Sequence, residues 1–340
     1  MSGTKMKSRF SLTAASLPAI SRVAMFVIII VLGCLIDKTF LTPRNISNNF
    51  ANASILIILG IGQTIAIITN GPDLSSGSIM TISAVVCAIG MKTYNLPFVV
   101  AILLGIALGA FLGMLNGYMI AYVGIPSFIS TYGLQWAIFG FAYVILKGYV
   151  LYDFNETFRF IGNGNLFGVI PMPIVVMVIC ATLGTLLLRK TTFGRQCYAV
   201  GSNRICAGMS GIDTKKVILK AFIISGAMSA FAGVLFIARM NSVQADIGSA
   251  YLLPVLATVY MGGTSAAGGE GSIIGTVVGA LVITMVTNCM NLLAVPSEWR
   301  EAIIGVLIIG TVLLDVAAKR GMPLRKKQAT TLAINSGAEN

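Results

Sequence analysis

Two glycine-rich stretches hold the carboxylates that stand closest to the start of an apolar run. "NGPDLSSGSIM" at 70–80 places Asp73 ahead of Gly77, Ser78 and Ile79. "GGTSAAGGEGSII" at 262–274 places Glu270 ahead of Gly271, Ser272 and Ile273, after Gly262, Gly263, Gly268 and Gly269. The chemistry this pattern offers is that of a helix start. Ser78 and Ser272 can accept from unpaired backbone N–H groups, and an acid just before them suits the positive end of the helix dipole. A tight turn between two helices also collects Gly, Ser and one acid for structural reasons alone, so the pattern by itself leaves both readings open.

Reactive side chains are otherwise scarce. The chain has no histidine, which removes Ser-His triads, histidine zinc sites and a histidine proton shuttle. Its six cysteines stand singly, at 34, 87, 180, 197, 206 and 289, without metal-ligand spacing, and read as packing residues with no metal site. No G-x-x-x-x-G-K-[ST] occurs, so the chain has no phosphate cradle of its own.

The elements that must position these residues are membrane helices. Of the 340 residues 56% are hydrophobic and 10% charged, with a mean hydropathy of +0.91, a composition no water-soluble domain of this size carries on its surface. Apolar runs long enough to cross about 30 Å of hydrocarbon recur along the chain as continuous stretches, which suits helices rather than barrel strands. Ten candidate spans result, at 22–41, 50–69, 76–92, 97–122, 126–147, 170–189, 216–239, 250–263, 272–293 and 299–318. The eighth is short and ends in glycines, as a broken or re-entrant helix would. The expected architecture is an all-α polytopic membrane protein: a tail at 1–21, a single membrane domain at 22–318 with a polar loop at 190–215, and a tail at 319–340. The first span reads as an anchor and not a removed signal peptide.

If the second half repeats the first, equivalent spans are five apart and run oppositely across the membrane, an inverted repeat of two five-helix halves in which Asp73 and Glu270 mark matching breaks. Gly105, Gly109, Gly113 and Gly117 recur every fourth residue, as do Gly275 and Gly279, forming strips on which another helix lies close. No carboxylate stands clearly near a span's centre, where ion-coupled carriers hold ionisable groups. Lys and Arg fix the orientation: four lie in 1–22, seven in 189–220 and five in 319–327, sixteen of the chain's 23. Both termini and the 190–215 loop are therefore expected in the cytoplasm. The same bias accounts for the net charge of +12 without any nucleic acid.

"TTFGRQCYAVGSNRICAGMSGIDTKK" at 191–216 is the longest polar interruption in the middle of the chain. Gly201-Ser202-Asn203 offers a turn and a cap, residues 204–209 a short helix, and Gly211 its end. Ala207, Gly208 and Ser210 leave this helix low in bulk, so another protein's groove can approach closely.

Several ordered motifs then resemble one family: "GPDLSSGS", the loop with Gly194-Arg195, Tyr198-Ala199, Gly201, Asn203 and Ser210-Gly211-Ile212, the run "GGTSAAGG-G-S-IGT", and Asn288 with Asn291-Leu292-Leu293. From about residue 45 to 318 the chain is similar to the permease subunits of bacterial ABC importers for simple sugars, the group that includes ribose, xylose, arabinose, galactose and autoinducer permeases, its ribose members above all. The resemblance implies no enzyme in this chain. It implies a multi-pass subunit of the bacterial inner membrane that pairs with a second permease, and a soluble extracytoplasmic binding protein that delivers the sugar. ATP and Mg²⁺ are then bound by a separate cytoplasmic ATPase. Residues 194–212, with Gly194, Arg195, Gly201, Asn203, Arg204, Ala207, Gly208, Ser210, Gly211 and Ile212, become the candidate coupling element on which that motor acts. The chain departs from the family pattern at Arg204-Ile205-Cys206, at Leu252 and Pro254, and at Pro72 and Ser76. For a neutral sugar, amides are the natural partners, which makes Gln63, Asn116, Gln135, Asn288 and Asn291 candidates for the path, each equally suited to an interhelical hydrogen bond. The competing classes are a passive channel or ion-coupled carrier for a small polar solute, and an intramembrane enzyme, which the missing histidine opposes.

Overall fold

A computed structural model describes residues 30, 31, 33, 34 and 37–320. Most of the expected span at 22–41, the tail at 1–21 and residues 321–340 lie outside the described residues, and with them most of the terminal basic residues.

Helix α1 (Pro43–Ile68) opens with Pro43, whose missing N–H costs nothing there, and with the Thr42 hydroxyl accepting from Asn45 N. Its last three turns are buried on every side, as an apolar helix without a polar stripe must be. Around it stand α2 (Ser76–Lys92), α3 (Phe98–Tyr118, continued by a π-helical turn to Val123), α4 (Ser127–Leu146), α6 (Met172–Lys190) and α9 (Thr214–Met240). The set is completed by α10 (Leu252–Met261), α11 (Ile273–Leu292) and α12 (Ser297–Arg320). The short helices α7 (Thr192–Ser202) and α8 (Arg204–Met209) lie at the end of the bundle where α6 stops and α9 starts. At the far end, α5 (Glu156–Asn163) is capped by Asn155. There β1 (Leu151–Tyr152) pairs antiparallel with β4 (Ser242–Val243), while β2 (Asn165–Leu166) and β3 (Ile170–Pro171) form a small hairpin.

The packing has a mirrored order. Helix α9 lies on α3 as α1 lies on α11; α2 lies on α3 and α4 as α10 lies on α11 and α12; and α1 and α9 lie on each other. The glycine strip on α3 works as expected: a Cβ at Gly113 would strike the Phe222 carbonyl of α9, and the strip on α11 likewise faces α10.

Among the described residues, six helices are long and apolar enough to cross a membrane: α1, α3 with its π turn, α4, α6, α9 and α11. The all-α polytopic reading therefore stands, and six of the expected ten spans are helices of that length among the described residues. Helix α2 has 17 residues and α10 has 10, because the chain before each is not α-helical and packs into the bundle instead of crossing it, residues 249–251 forming one 3-10 turn ahead of α10. Residues 244–251 return from β4 alongside α2, where Gly248 N donates to Thr81 Oγ1 at 3.0 Å. Gly77 and Gly248 meet there, so that a Cβ on either would strike the other's carbonyl oxygen.

That contact corrects the expected pairing of breaks. The segment opposite Asp73's break is 244–251, ahead of α10, and not 262–272, ahead of α11. The physical reason is direction: the helices that follow Asp73 and Glu270 both run away from the α7–α8 end, α2 from a start inside the bundle, whereas members of an inverted pair run oppositely.

Candidate functional site

Asp73 is the centre of a buried polar chain. After Ile68 the backbone turns back along α1, and the Gln63 side-chain amide, oriented to satisfy both groups, donates to Asp73 O at 3.0 Å and accepts from Asp73 N at 3.1 Å. Gln63 thus completes the backbone hydrogen bonding of a non-helical residue that has no water to turn to. The Asp73 carboxylate is fully buried. Its Oδ1 accepts from Ser75 N at 3.0 Å and Ser75 Oγ at 2.6 Å, and its Oδ2 accepts from Ser225 Oγ of α9 at 2.7 Å. Ser75 Oγ in turn accepts from Asn116 Nδ2 of α3 at 2.8 Å, and Asn116 Oδ1 accepts from Ser130 Oγ of α4 at 3.0 Å. One line of hydrogen bonds therefore joins α1, α2, α3, α4 and α9, which is the condition for keeping so polar a group inside a bundle.

Two expectations are corrected here. A carboxylate does lie deep among the spans: Ser225 sits roughly 16 Å along α9 from its start by helical rise. Asp73 reaches it because its break folds into the bundle rather than out of it. Ser78 is not the cap of α2. The helix starts earlier, at Ser76, with the Asp73 side chain holding Ser75, and Ser78 Oγ donates to Ser75 O at 2.8 Å from inside the first turn.

The second break is built differently. Ser272 does cap α11, accepting from Gly275 N at 3.0 Å. Glu270 is exposed, and its backbone carbonyl accepts from Ser265 N at 3.1 Å. Gly263, Gly268 and Gly269 all have positive φ, so this loop winds through conformations open to glycine. Gly262 packs on Gly275.

This loop also holds the polar interruption in place. Gly269 N donates to Ile68 O at 2.9 Å, and Tyr198 Oη donates to Gly271 O at 2.9 Å. Gly201 rests on the Ile68 carbonyl and Gly194 on the Leu188 carbonyl, with no room for a side chain at either. The expected helix at 204–209 is present as α8. Asn203 caps it, accepting from Ile205 N and Cys206 N at 3.0 Å each, and Gly211, at φ +81°, ends it. Helix α7 ahead of it is an addition to that expectation.

The ten candidate coupling residues divide between two faces. Gly194, Gly201 and Ala207 are buried against the bundle, a correction for Ala207, which sequence placed on the approachable surface. Arg195, Asn203, Arg204, Gly208, Ser210 and Gly211 are exposed, and Ile212 is half-buried. Beside Gly208, where a Cβ would meet nothing within 4 Å, stand Ile205 and Met209, 76% and 85% exposed. Behind α8 a polar cleft of about 560 Å³ opens between Asn70, Ser127, Gly201, Asn203, Arg204 and Ala267.

The five candidate amides do not form one site. Gln63 and Asn116 belong to the Asp73 chain. Asn288 of α11 exchanges hydrogen bonds of 3.0 Å with Asn45 of α1. Asn291 accepts from Arg300. Gln135 of α4 is buried, with no partner for its Oε1. Sequence reasoning missed Ser75, Ser130 and Ser225; a serine in an apolar run carries no mark that separates a relay from ordinary helix packing. Among the described residues no group of three or more Cys, Asp or Glu is placed to hold a metal ion.

Comparison with known proteins decides what this architecture serves. The family model described as "Branched-chain amino acid transport system / permease component" matches residues 45–312. The chain is 35% identical to the D-allose transport system permease protein AlsC of Escherichia coli K12, over 85% of this chain and 88% of that one. It is 36% identical to the ribose import permease protein RbsC of Bacillus subtilis 168, over 86% and 90%.

The chain belongs to the simple-sugar permeases of ABC importers.

A third member, the xylose transport system permease protein XylH of Haemophilus influenzae, is 30% identical over 88% of this chain and 96% of its own. No solved structure matches. A permease of this family is a transport subunit and not an enzyme, and the ATPase is a separate subunit.

Proposed function

We propose that this permease passes a ribose-like monosaccharide across the bacterial inner membrane. An extracytoplasmic binding protein delivers the sugar, and a cytoplasmic ATPase that holds ATP and Mg²⁺ drives the cycle. Two permease subunits line the path, and no nucleic acid takes part. The observation that carries this reading is the two-faced α7–α8 element. Its inner side is keyed to the ends of α1 and α11 through Gly201, Tyr198 and Gly269; its outer side presents Ile205, Gly208 and Met209 with nothing over them. A motor that grips the outer side moves the inner one, and the first residue it displaces is Ile68, from which the chain leads straight to Asp73.

The mirrored packing and the Gly77–Gly248 contact support an inverted repeat in which α1, α2, α3 and α4 correspond to α9, α10, α11 and α12. With α6 and the expected span at 22–41, most of which lies outside the described residues, as the remaining pair, the count becomes ten, and both termini lie with α7–α8 in the cytoplasm. Asp73 does not favour an ion-coupled carrier, since its oxygens are already held by Ser75 and Ser225.

Gly208→Trp tests the reading. The ring has space within the subunit, so abundance and assembly with the ATPase stay normal while sugar uptake and its coupling to ATP hydrolysis are lost. Wild-type uptake by an intact mutant complex would overturn the docking role. A ligand screen of the cognate binding protein identifies the sugar.

A further inference from the structure

Helix α4 leaves a row of aromatic rings uncovered. Phe128, Tyr132 and Trp136 recur every fourth residue and are 60%, 43% and 60% exposed. Their rings touch in sequence: Phe128 and Tyr132 lie 5.7 Å apart with planes 6° from parallel, and Tyr132 meets Trp136 edge-on at 6.2 Å. Trp136 then meets the buried Phe139 at 6.5 Å. Gly133 and Gly140 lie on the same helix with open space where a Cβ would be. Gln135, 7% exposed, sits within one turn of Tyr132 and Phe139, and its Oε1 has no partner.

This is not a surface made for lipid. The exposed large side chains of α6 are Val178, Ile179, Leu183 and Leu186, all aliphatic. Trp and Tyr facing lipid belong at the two membrane boundaries, where the indole N–H and phenol find water. Trp136 is instead halfway along the 20 residues of α4.

We infer that the Phe128–Tyr132–Trp136 ladder is the wall of the sugar path, a stacking surface along which the monosaccharide ring passes between this subunit and the second permease. The inference rests on the transport reading above. A sugar ring offers a face of C–H bonds, which the electron-rich face of an aromatic ring attracts, and a rim of neutral hydroxyls, which the Tyr132 hydroxyl can meet. The ladder carries no charge, so the ring is held loosely at successive places, as passage requires. Gly133 and Gly140 keep the wall flat beside the rings.

The test uses the whole importer, with its ATPase and binding protein, in liposomes loaded with ATP. Trp136→Leu is expected to cut uptake of labelled sugar by about fivefold or more while the ATP hydrolysis stimulated by the binding protein stays at the wild-type rate. Trp136→Phe, which keeps a ring, recovers most of the uptake. Tyr132→Phe, which removes only the hydroxyl, gives a smaller loss seen in KM. Ile179→Leu, on the aliphatic face of α6, changes nothing. Normal uptake by Trp136→Leu would overturn the ladder, as would uptake and hydrolysis falling together with no recovery by Trp136→Phe, the mark of a helix that merely packs there. A wild-type importer that takes up no sugar removes the transport reading and the ladder with it, and this is seen before any variant is compared.

Discussion

The break at 70–75 and the break at 262–272 read alike: glycines, a lone acid, then Gly-Ser-Ile and an apolar helix. In the folded chain they are opposites. Asp73 is fully buried and joins five helices through serine, asparagine and glutamine side chains, whereas Glu270 stands exposed on a loop wound through left-handed glycines. What separates them is the route of the backbone. One break folds back along the helix it has left, and the other spreads across the end of the bundle to hold α7. A carboxylate's role in a membrane protein is therefore set by the donors its backbone brings it to, and the residues beside it in sequence do not reveal that.

Substitution of the two acids breaks or sharpens this contrast. Asp73→Leu deprives the Ser75 N–H and the Ser75 and Ser225 hydroxyls of their acceptor at a cost of roughly 1–3 kcal/mol each, so unfolding temperature and uptake both collapse. Glu270→Leu, at an exposed site, lowers both by less, and equal losses at the two sites would erase the distinction. Asp73→Asn keeps one acceptor and offers Ser225 a donor, and an intermediate loss of about 1–2 kcal/mol in thermal unfolding is expected. On the exposed side, Asn203→Ala removes the cap of α8 for about 1 kcal/mol. That change is read as faster amide exchange over residues 204–209, with uptake reduced less than in Gly208→Trp. The smallest effect is chemical: burial pushes the Cys197 thiol up to about 12, while Cys206 is exposed on α8. A thiol reagent at neutral pH is expected to modify Cys206 and leave Cys197 unreacted in the folded subunit, as mass spectrometry of the labelled chain can show.

Much of this fold was legible because apolar length is a strong signal. The runs at 50–69, 126–147 and 272–293 are α1, α4 and α11 to within a few residues, apart from the first turns of α1. The short helix at 204–209 was legible from Asn203 and Gly211, whose side chain and positive φ act locally. Helix α7 was not, because Gly194 and Gly201 look like loop residues until the carbonyls pressed against them are seen. The buried position of Asp73 escaped for a related reason: Gln63, Asn116 and Ser225 are far apart in sequence, and only the folded backbone brings them to one carboxylate. The meeting of Gly77 and Gly248 was not legible, since the two lie far apart in sequence and only the folded backbone joins them.

The meeting of Gly77 and Gly248 constrains the sequence of this protein as well as its shape. Every other amino acid adds a Cβ, so no substitution fits at either position without moving the backbone. A change at one cannot be relieved by a smaller residue at the other, since glycine is already the smallest. The two segments are thus bound to each other, each requiring glycine of the other.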